Sequence, residues 1–141
     1  MIIFDLDGTL SIVGDRVKYL LQEPKDWDSF YDACIEDAPN TPIVNICRHL
    51  LLNFRVVIVT GRRESCRSDT LKWLHRNNLW VGSPQLVMRP DGDIRHDTVL
   101  KPELIEPYKT EIECIFEDRN SMVKKWRELG YTCLQVAEGD F

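Results

Sequence analysis

Two aspartates stand one residue apart where the first apolar run of the chain ends, in MIIFDLDGTL. A carboxylate such as Asp5 can attack phosphorus and form an acyl phosphate. A second acid such as Asp7 can protonate the leaving oxygen and later activate water. Because paired acids also cap helices and close turns, the pair needs support from the rest of the sequence.

Polar residues follow two further apolar runs. Thr60 ends FRVVIVT, and Glu117 and Asp118 follow ECIF. In an open parallel sheet, ligands bind beyond the carboxyl ends of the strands. We therefore expect Asp5, Asp7, Thr60 and Asp118 to meet in one crevice. Carboxylates gathered in this way repel one another unless a cation is present, and an oxygen-only set suits Mg²⁺.

The elements that must position these residues alternate between strand and helix patterns. The predicted fold is α/β, a doubly wound, Rossmann-like five-stranded parallel sheet with right-handed crossovers. Continuous β-branched runs indicate strands that are buried on both faces. The predicted strands are residues 1–4, 54–60, QLVM, ECIF and TCLQV. The predicted helices are residues 42–53, 63–77, 98–108 and 121–130, the last with an apolar face of Met122, Val123, Trp126 and Leu129.

One connection is much longer than a parallel sheet requires. Residues 11–41 stand where roughly two to six residues usually suffice. DWDSFYDACIED predicts a helix that is capped by Asp26. Its apolar face would carry Trp27, Phe30, Tyr31, Cys34 and Ile35. This segment is predicted to be a small helical flap, within a single domain of residues 1–141.

Composition excludes several classes of protein. The chain has 141 residues, is 43% hydrophobic and has no apolar run near the roughly 20 residues of a membrane span. The net charge of -5 argues against a long tract of phosphate contacts, although it allows a pocket for one phosphate. Five cysteines without paired spacing predict reduced thiols. A strand that begins at the first residue leaves no room for a leader, which predicts a cytoplasmic location.

The ordered motifs DLDGTL, VTGR, a Lys at the head of a helix and FEDR resemble those of the haloacid dehalogenase (HAD) superfamily of phosphotransferases. The resemblance implies that Asp5 is the nucleophile and Asp7 the general acid and base. It implies that Thr60 hydrogen-bonds a phosphate oxygen and that Lys101 neutralises the phosphate and the nucleophile. These roles suit the negative charge of a transferring phosphoryl group.

The same resemblance implies a Mg²⁺ site at the acidic residues. Asp5, Asp7 and Asp118 are its expected ligands. Many members of the superfamily have Asp-Asp in the last motif, whereas this chain has Glu117 before Asp118. Glu117 is therefore expected to support the metal site, and which of the two acids binds the ion directly stays open.

A narrower resemblance covers nearly the whole chain. DLDGTLSIVGDR, GDIRHDTVLK and FEDRNSMVKKWRELGYTCLQVAEGDF are similar to the phosphatase half of phage polynucleotide kinase-phosphatases, including the final Gly-Asp-Phe. That family removes 3′-phosphates from DNA or RNA ends. The resemblance implies a substrate-binding set of Arg16, Gly61, Arg62 and Asp97. The segment DWDSFYDACIEDAPN departs from the family pattern and leaves end specificity open.

The predicted function is a Mg²⁺-dependent phosphomonoesterase that acts on 3′-phosphorylated polynucleotide ends. A nucleotidase or other small-molecule phosphatase is the alternative, and a non-catalytic binding module ranks last because Asp5, Asp7, Thr60 and Lys101 are all present. No GxxxxGK[ST] motif occurs, so the kinase half is missing from this chain. The chain is predicted to act either as a stand-alone phosphatase or beside a separately encoded kinase or ligase. For a phage-encoded chain, the expected location is the host cytoplasm.

Several side chains have two interpretations. Arg62, Arg63 and Arg67 either bind a second phosphate together, or the latter two lie on a solvated helix face. Asp97 either caps the helix that follows it or holds Lys101 or an arginine. Trp27, Phe30 and Tyr31 of the flap either stack on bases or pack on the domain.

Overall fold

The computed structural model describes residues 1–82 and 85–139. Within these residues, five strands form one sheet in the order β5-β4-β1-β6-β7, and every neighbouring pair is parallel. Two short strands, β2 and β3, pair antiparallel outside it. The strands are β1 (Ile2–Phe4), β2 (Ser11–Ile12), β3 (Ala38–Pro39), β4 (Val56–Arg63), β5 (Leu86–Arg89), β6 (Cys114–Arg119) and β7 (Cys133–Gly139).

Helices connect the strands of the large sheet. They are α1 (Trp27–Asp32), α2 (Thr41–Leu50), α3 (Arg67–Arg76), α4 (Asp97–Ile105) and α5 (Asn120–Glu128). Short 3₁₀ helices occur at Asp15–Leu20, Ala33–Glu36, Glu64–Cys66 and Glu106–Tyr108. None of the described helices combines the length and the hydropathy that a membrane crossing requires.

The core has two layers, one on each face of the sheet. Along β1 and β4, alternate side chains point to opposite faces. Phe4 and Ile58 belong to the layer that also holds Trp73, whereas Val57 belongs to the layer of Trp126. The predicted α/β fold with a five-stranded parallel sheet is thus confirmed, and both tryptophans are core residues, as predicted.

Some predicted boundaries were wrong. Strand β4 continues through Arg63, and β6 through Arg119, because each bends at a register shift rather than ending. Helix α3 therefore starts only at Arg67, after a 3₁₀ turn. Leu129 follows the last turn of α5 and is exposed instead of buried, and Gly130 ends the helix with a φ of 88°.

The flap stands on a small base. Ser11 pairs with Pro39 and Ile12 with Ala38, so β2 and β3 bring the two ends of the insertion together. The Asp26 carboxylate accepts a hydrogen bond from the Ser29 amide at 3.0 Å, which confirms the predicted cap of α1. The cysteines of the described residues are free thiols.

Candidate active site

The carboxyl end of the central strand places Asp5 against strand β6. The Asp5 amide donates a hydrogen bond to the Phe116 carbonyl at 2.9 Å, so Asp5 lies beside the acidic end of β6. Helix α4 delivers the partner, Lys101. Its ammonium donates to Asp5 at 2.6 Å and to Glu117 at 3.0 Å, and all three side chains are buried. Burial alone would lower the pKa of Lys101, but Asp5 and Glu117 raise it well above its usual range.

Asp5, Glu117 and Asp118 form a buried acidic cluster whose ligand oxygens lie within 4.8 Å of one another. Burial, and then repulsion from Glu117, raises the pKa of Asp5 well above its usual range and that of Asp118 to about 6. Within the described residues, Lys101 is the cation bonded to this cluster. Three carboxylates with one ammonium leave excess negative charge in an oxygen-only site, and this donor set fits a divalent cation.

Two glycines allow Asp118 to approach the cluster. A Cβ at Gly8, which has a φ of 93°, would lie 2.1 Å from an Asp118 carboxylate oxygen, and one at Gly139 would lie 2.6 Å from it. The Thr9 hydroxyl donates to Asp118 at 3.1 Å. The sequence Asp-Gly-Thr after β1 therefore shapes the space that Asp118 occupies.

Asp7 lies outside the acidic cluster because two arginines bind its carboxylate. Arg62 donates to Asp7 through Nε at 3.0 Å and Nη2 at 2.5 Å, and Arg16 donates through Nη2 at 2.6 Å. Both guanidinium groups also bind Asp37, at 2.6 Å from Arg16 and 3.1 Å from Arg62. Arg62 is fully buried, and Arg16 is buried rather than exposed on the flap.

These arginines determine the charge of Asp7. Burial alone would raise the pKa of Asp7, but Arg62 and Arg16 together hold it well below its usual range. Asp7 is therefore a carboxylate in this arrangement. That state suits a general base, whereas the general-acid role requires Asp7 to gain a proton during the reaction.

Thr60 and Gly61 lie at the bend of β4. The Thr60 hydroxyl is buried and accepts a hydrogen bond from the Arg62 amide at 3.1 Å. The Gly61 carbonyl accepts hydrogen bonds from Arg89 at 3.0 Å and from the Tyr31 hydroxyl at 3.2 Å. Gly61 thus connects the end of β5 and the flap to the predicted phosphate-binding strand.

Asp97 is a partner of arginines rather than a helix cap. Its carboxylate accepts hydrogen bonds from Arg89 and, at 2.9 Å, from Arg119. The cap of α4 is His96, whose ring nitrogen accepts a hydrogen bond from the Thr98 amide at 3.3 Å. Asp97 is the first residue of the helix, and its carboxylate binds the two arginines.

Arg63 and Arg67 have partners other than those of Arg62. Arg63 pairs with Asp28 of the flap at 2.9 Å and lies 5.1 Å from the centre of the Tyr31 ring. Arg67 pairs with Glu64 at 2.6 Å. The three arginines thus bind different carboxylates, and of the two interpretations the structure does not support the common cluster.

Comparison with known proteins identifies the family. The chain matches the family described as polynucleotide kinase PNKP phosphatase domain over residues 1–141. The chain belongs to this family. The predicted resemblance to HAD phosphatases of polynucleotide kinase-phosphatases is therefore confirmed, although Asp140 and Phe141 of the matching ending lie outside the described residues.

Relatives of this phosphatase-domain chain include a curated protein of Autographa californica nuclear polyhedrosis virus, named "Putative bifunctional polynucleotide kinase/RNA ligase". It is 27% identical over 136 residues, which cover 91% of this chain and 18% of that protein. The solved "Structure of Pnkp1/Rnl/Hen1 complex" contains a chain that is 31% identical with a TM-score of 0.84, and the match covers 99% of this chain and 46% of that one. This chain thus spans less than half of the length of either relative.

A more distant structure shows the fold alone. The class C acid phosphatase from Bacillus anthracis is 19% identical, with a TM-score of 0.63 over 85% of this chain and 51% of that chain.

A cavity of about 650 Å³ lies between the flap and the sheet of this PNKP-type domain. Asp5, Asp7 and Lys101 line it together with aromatic residues of the flap. Its other basic side chains are Lys25, Arg63, Arg89, Arg95 and Arg119, and Asp93 and Asp97 line it as partners of three of these arginines. The predicted crevice therefore combines the acidic cluster with a set of mostly ion-paired basic side chains, and a cavity of this size accommodates a nucleotide-sized ligand.

Three site residues were missed by sequence reasoning. Arg89 and Arg119 end strands β5 and β6, so the rule that placed Asp5 would have found them. Asp37 carries no such signal, because its position beneath Arg16 and Arg62 depends on how the flap folds back.

Proposed function

We propose that this chain is a Mg²⁺-dependent phosphomonoesterase that removes 3′-phosphates from polynucleotide ends through an aspartyl-phosphate at Asp5. The supporting observation is the buried contact of Lys101 with Asp5 at 2.6 Å beside the cluster of Glu117 and Asp118. A buried nucleophilic carboxylate with one ammonium at its side is suited to attack on a phosphoryl group.

In the proposed reaction, an Asp5 oxygen attacks phosphorus and the bond from phosphorus to the 3′ oxygen breaks. Asp7 first takes up a proton from solvent and gives it to that oxygen as the bond breaks. As carboxylate it then takes a proton from the water that hydrolyses the acyl phosphate. Thr60 donates a hydrogen bond to a phosphate oxygen, and Lys101 offsets the negative charge around the transferring group. Arg16 and Arg62 orient Asp7, in addition to the substrate contacts that are predicted for them with Gly61 and Asp97.

The metal would be held by Asp5 and Asp118, with Glu117 beside them. When bound, Mg²⁺ supplies positive charge that stabilises the phosphoryl group and the attacking carboxylate. Arg16 and Arg62 bind the Asp7 carboxylate, and the role of Asp7 as a metal ligand stays a prediction.

The polynucleotide substrate is supported by the family and by the cavity. In the proposed complex, the terminal phosphate lies at Asp5 and Lys101, and the basic side chains that line the cavity, Lys25 among them, face the phosphodiester strand. One relative is named "Putative bifunctional polynucleotide kinase/RNA ligase", and another is a chain of a Pnkp1/Rnl/Hen1 complex. These names support our proposal of a separately encoded kinase or ligase as partner. End repair of this kind would take place in the cytoplasm of the cell or, for a phage chain, of the host.

A mononucleotide or other small phosphate ester is the second candidate. The net charge of -5 favours it, since long polynucleotide contacts usually require clustered cations. A binding module without turnover remains last, because the catalytic set is complete.

The test compares phosphate release, with Mg²⁺ present, from an oligonucleotide with a 3′-phosphate, its 5′-phosphate twin and several mononucleotides. We expect the 3′ end to be hydrolysed with the highest kcat/KM. Preference for mononucleotides would support the second candidate, and no release from any ester would overturn the proposal.

A further inference from the structure

We propose that the flap provides a nucleobase subsite centred on Trp27, on which the base of the 3′-terminal nucleotide stacks. This subsite rests on the proposed function for the identity of its substrate. It extends that function by assigning the recognition of the terminal base to one residue outside the catalytic set.

Trp27 is both exposed and held in place. Its side chain lines the same cavity as Asp5 and Lys101 and is 40% exposed. The ring stacks on Tyr31 at 6.0 Å between centroids and meets Phe30 edge-on at 5.9 Å. Because Asp26 caps the helix at this residue, the indole is fixed from the backbone as well as from its neighbours. A fixed, exposed aromatic ring loses little conformational entropy when a ligand stacks on it.

Two further exposed apolar side chains line the same cavity as Trp27. Leu21 is 79% and Ile94 is 92% exposed. The other large exposed apolar residues of the described chain, such as Trp80, do not line it. Single exposed apolar residues need no explanation, but three that line one cavity indicate a ligand with an apolar surface.

Cations also line this cavity. The Lys25 ammonium is 6.0 Å from the centre of the Trp27 ring, and no ion pair of Lys25 occurs within residues 1–82 and 85–139. Arg63 lies over Tyr31 and pairs with Asp28, and Arg95 lines the cavity while it pairs with Asp93 and Glu103. A ligand that is both aromatic and anionic matches the apolar residues and the Lys25 charge, and a nucleotide at the end of a strand has both properties.

The chemistry of the subsite also sets its selectivity. Every base has an aromatic face, so stacking on Trp27 favours a terminal nucleotide with a base over an abasic one. It does not select among the bases.

The test measures kcat and KM for two oligonucleotides with a 3′-phosphate, one with a base at the terminal nucleotide and one with a tetrahydrofuran abasic residue there. We expect Trp27→Ala to lose roughly tenfold in kcat/KM on the first, mainly through KM, and to change little on the second. Trp27→Phe retains a ring and should keep most of the activity. Trp80→Ala removes a more exposed indole outside the cavity, 69% exposed against 40% for Trp27, and serves as the control.

Two outcomes would overturn the subsite. An equal loss on both oligonucleotides would mean that Trp27 only supports the flap, and unchanged kinetics on both would mean that the base does not touch it. Thermal unfolding of each variant shows whether the fold persists.

A binding measurement separates this proposal from the proposed function. Asp5→Asn protein is mixed with a 3′-phosphorylated oligonucleotide that ends in 2-aminopurine, whose fluorescence falls on stacking. Quenching that disappears in the Asp5→Asn, Trp27→Ala double variant supports the subsite even if no oligonucleotide is hydrolysed. Binding without quenching overturns the subsite and leaves the phosphatase proposal intact. An absence of binding also overturns the subsite if wild-type protein hydrolyses the same 3′ end under these conditions.

Discussion

Individual residues at the site differ in how their charges are balanced. Lys101 pairs with Asp5 and Glu117, and Asp118 is the third carboxylate of the same cluster. By contrast, two carboxylates, Asp7 and Asp37, face two guanidinium groups. The first group therefore requires another cation when it is ionised, whereas the second is neutral in total and can remain rigid. We infer that Arg16 and Arg62 hold Asp7, the proposed general acid and base, in place. The acidic cluster is the proposed metal site.

Replacing Arg62 tests this positioning role. Arg62→Ala leaves the buried Asp37 and the partly buried Asp7 with one arginine, so we expect the free energy of unfolding to fall by about 3 kcal/mol. We also expect kcat to fall similarly on oligonucleotides and small phosphate esters, because Asp7 serves every substrate. Urea denaturation and steady-state kinetics measure both effects.

Arg63→Ala is the control, since its ion pair with Asp28 is partly exposed and worth about 0–1 kcal/mol. A stable Arg62→Ala protein that fails only on oligonucleotides would show instead that Arg62 contacts a substrate phosphate.

At the scale of elements, the turn after β1 and the flap determine the shape of the site. The turn brings Gly8 against Asp118, and the flap contacts the bend of β4 through the Tyr31–Gly61 hydrogen bond and the Asp28–Arg63 ion pair. The contacts of Gly8 and Tyr31 thus join peripheral segments to the predicted metal site and the predicted substrate site. Changes in these segments should therefore alter chemistry without touching a catalytic side chain.

Gly8→Ala should weaken metal binding. The added Cβ would lie 2.1 Å from the Asp118 carboxylate, which must move. Gly130→Ala has a similar φ of 88° but nothing within 4 Å of the added Cβ, so it reproduces the backbone strain alone. We expect a higher Mg²⁺ concentration for half-maximal activity in Gly8→Ala and no change in Gly130→Ala. Equal Mg²⁺ titrations for both variants would contradict this role of Gly8.

Tyr31→Phe should loosen the flap. The change removes the hydrogen bond to the Gly61 carbonyl and keeps the ring, at a cost of about 0.5–1.5 kcal/mol. Hydrogen exchange should become faster in α1, with α5 as the internal reference. Unchanged exchange in α1 would show that ring packing alone holds the flap.

For the whole molecule, stability should depend on both pH and metal. The pKa of Asp118 is raised to about 6, so the folded chain binds this proton more strongly than the unfolded chain does. Ionisation of Asp118 therefore destabilises the fold as the pH rises from about 4 to about 6. A bound cation removes this cost, and stabilisation by Mg²⁺ should be greater above this range than below it.

Thermal unfolding with and without Mg²⁺ measures this effect. We expect a larger rise in Tm at about pH 7.5 than at about pH 5, with a gain near 2.7 kcal/mol at a Mg²⁺ concentration roughly a hundred times the Kd. Asp118→Asn should lose most of the rise. An equal rise at both pH values would place the binding of Mg²⁺ elsewhere.

The whole fold was more predictable than the details of the site. Apolar runs marked the strands, and the strand-end rule brought Asp5 and Asp118 together, because both depend on local sequence and sheet geometry. The ion-pair network of Asp7, Arg16, Arg62 and Asp37 was not predictable. Arg16 and Asp37 belong to the flap segment and reach Asp7 and Arg62 only when this segment folds back. The bends of β4 and β6 were missed as well, because a register shift leaves no distinct composition.

Phosphoryl transfer to Asp5 is the central claim, and acid quenching tests it most directly. An oligonucleotide with a radiolabelled 3′-phosphate is mixed with wild-type, Asp5→Asn or Asp7→Asn protein in the presence of Mg²⁺. We predict label on Asp5 of the wild-type protein, slower loss of label from Asp7→Asn, and no label or phosphate release with Asp5→Asn. Phosphate release by Asp5→Asn at the wild-type rate, or label on another residue, would contradict the account.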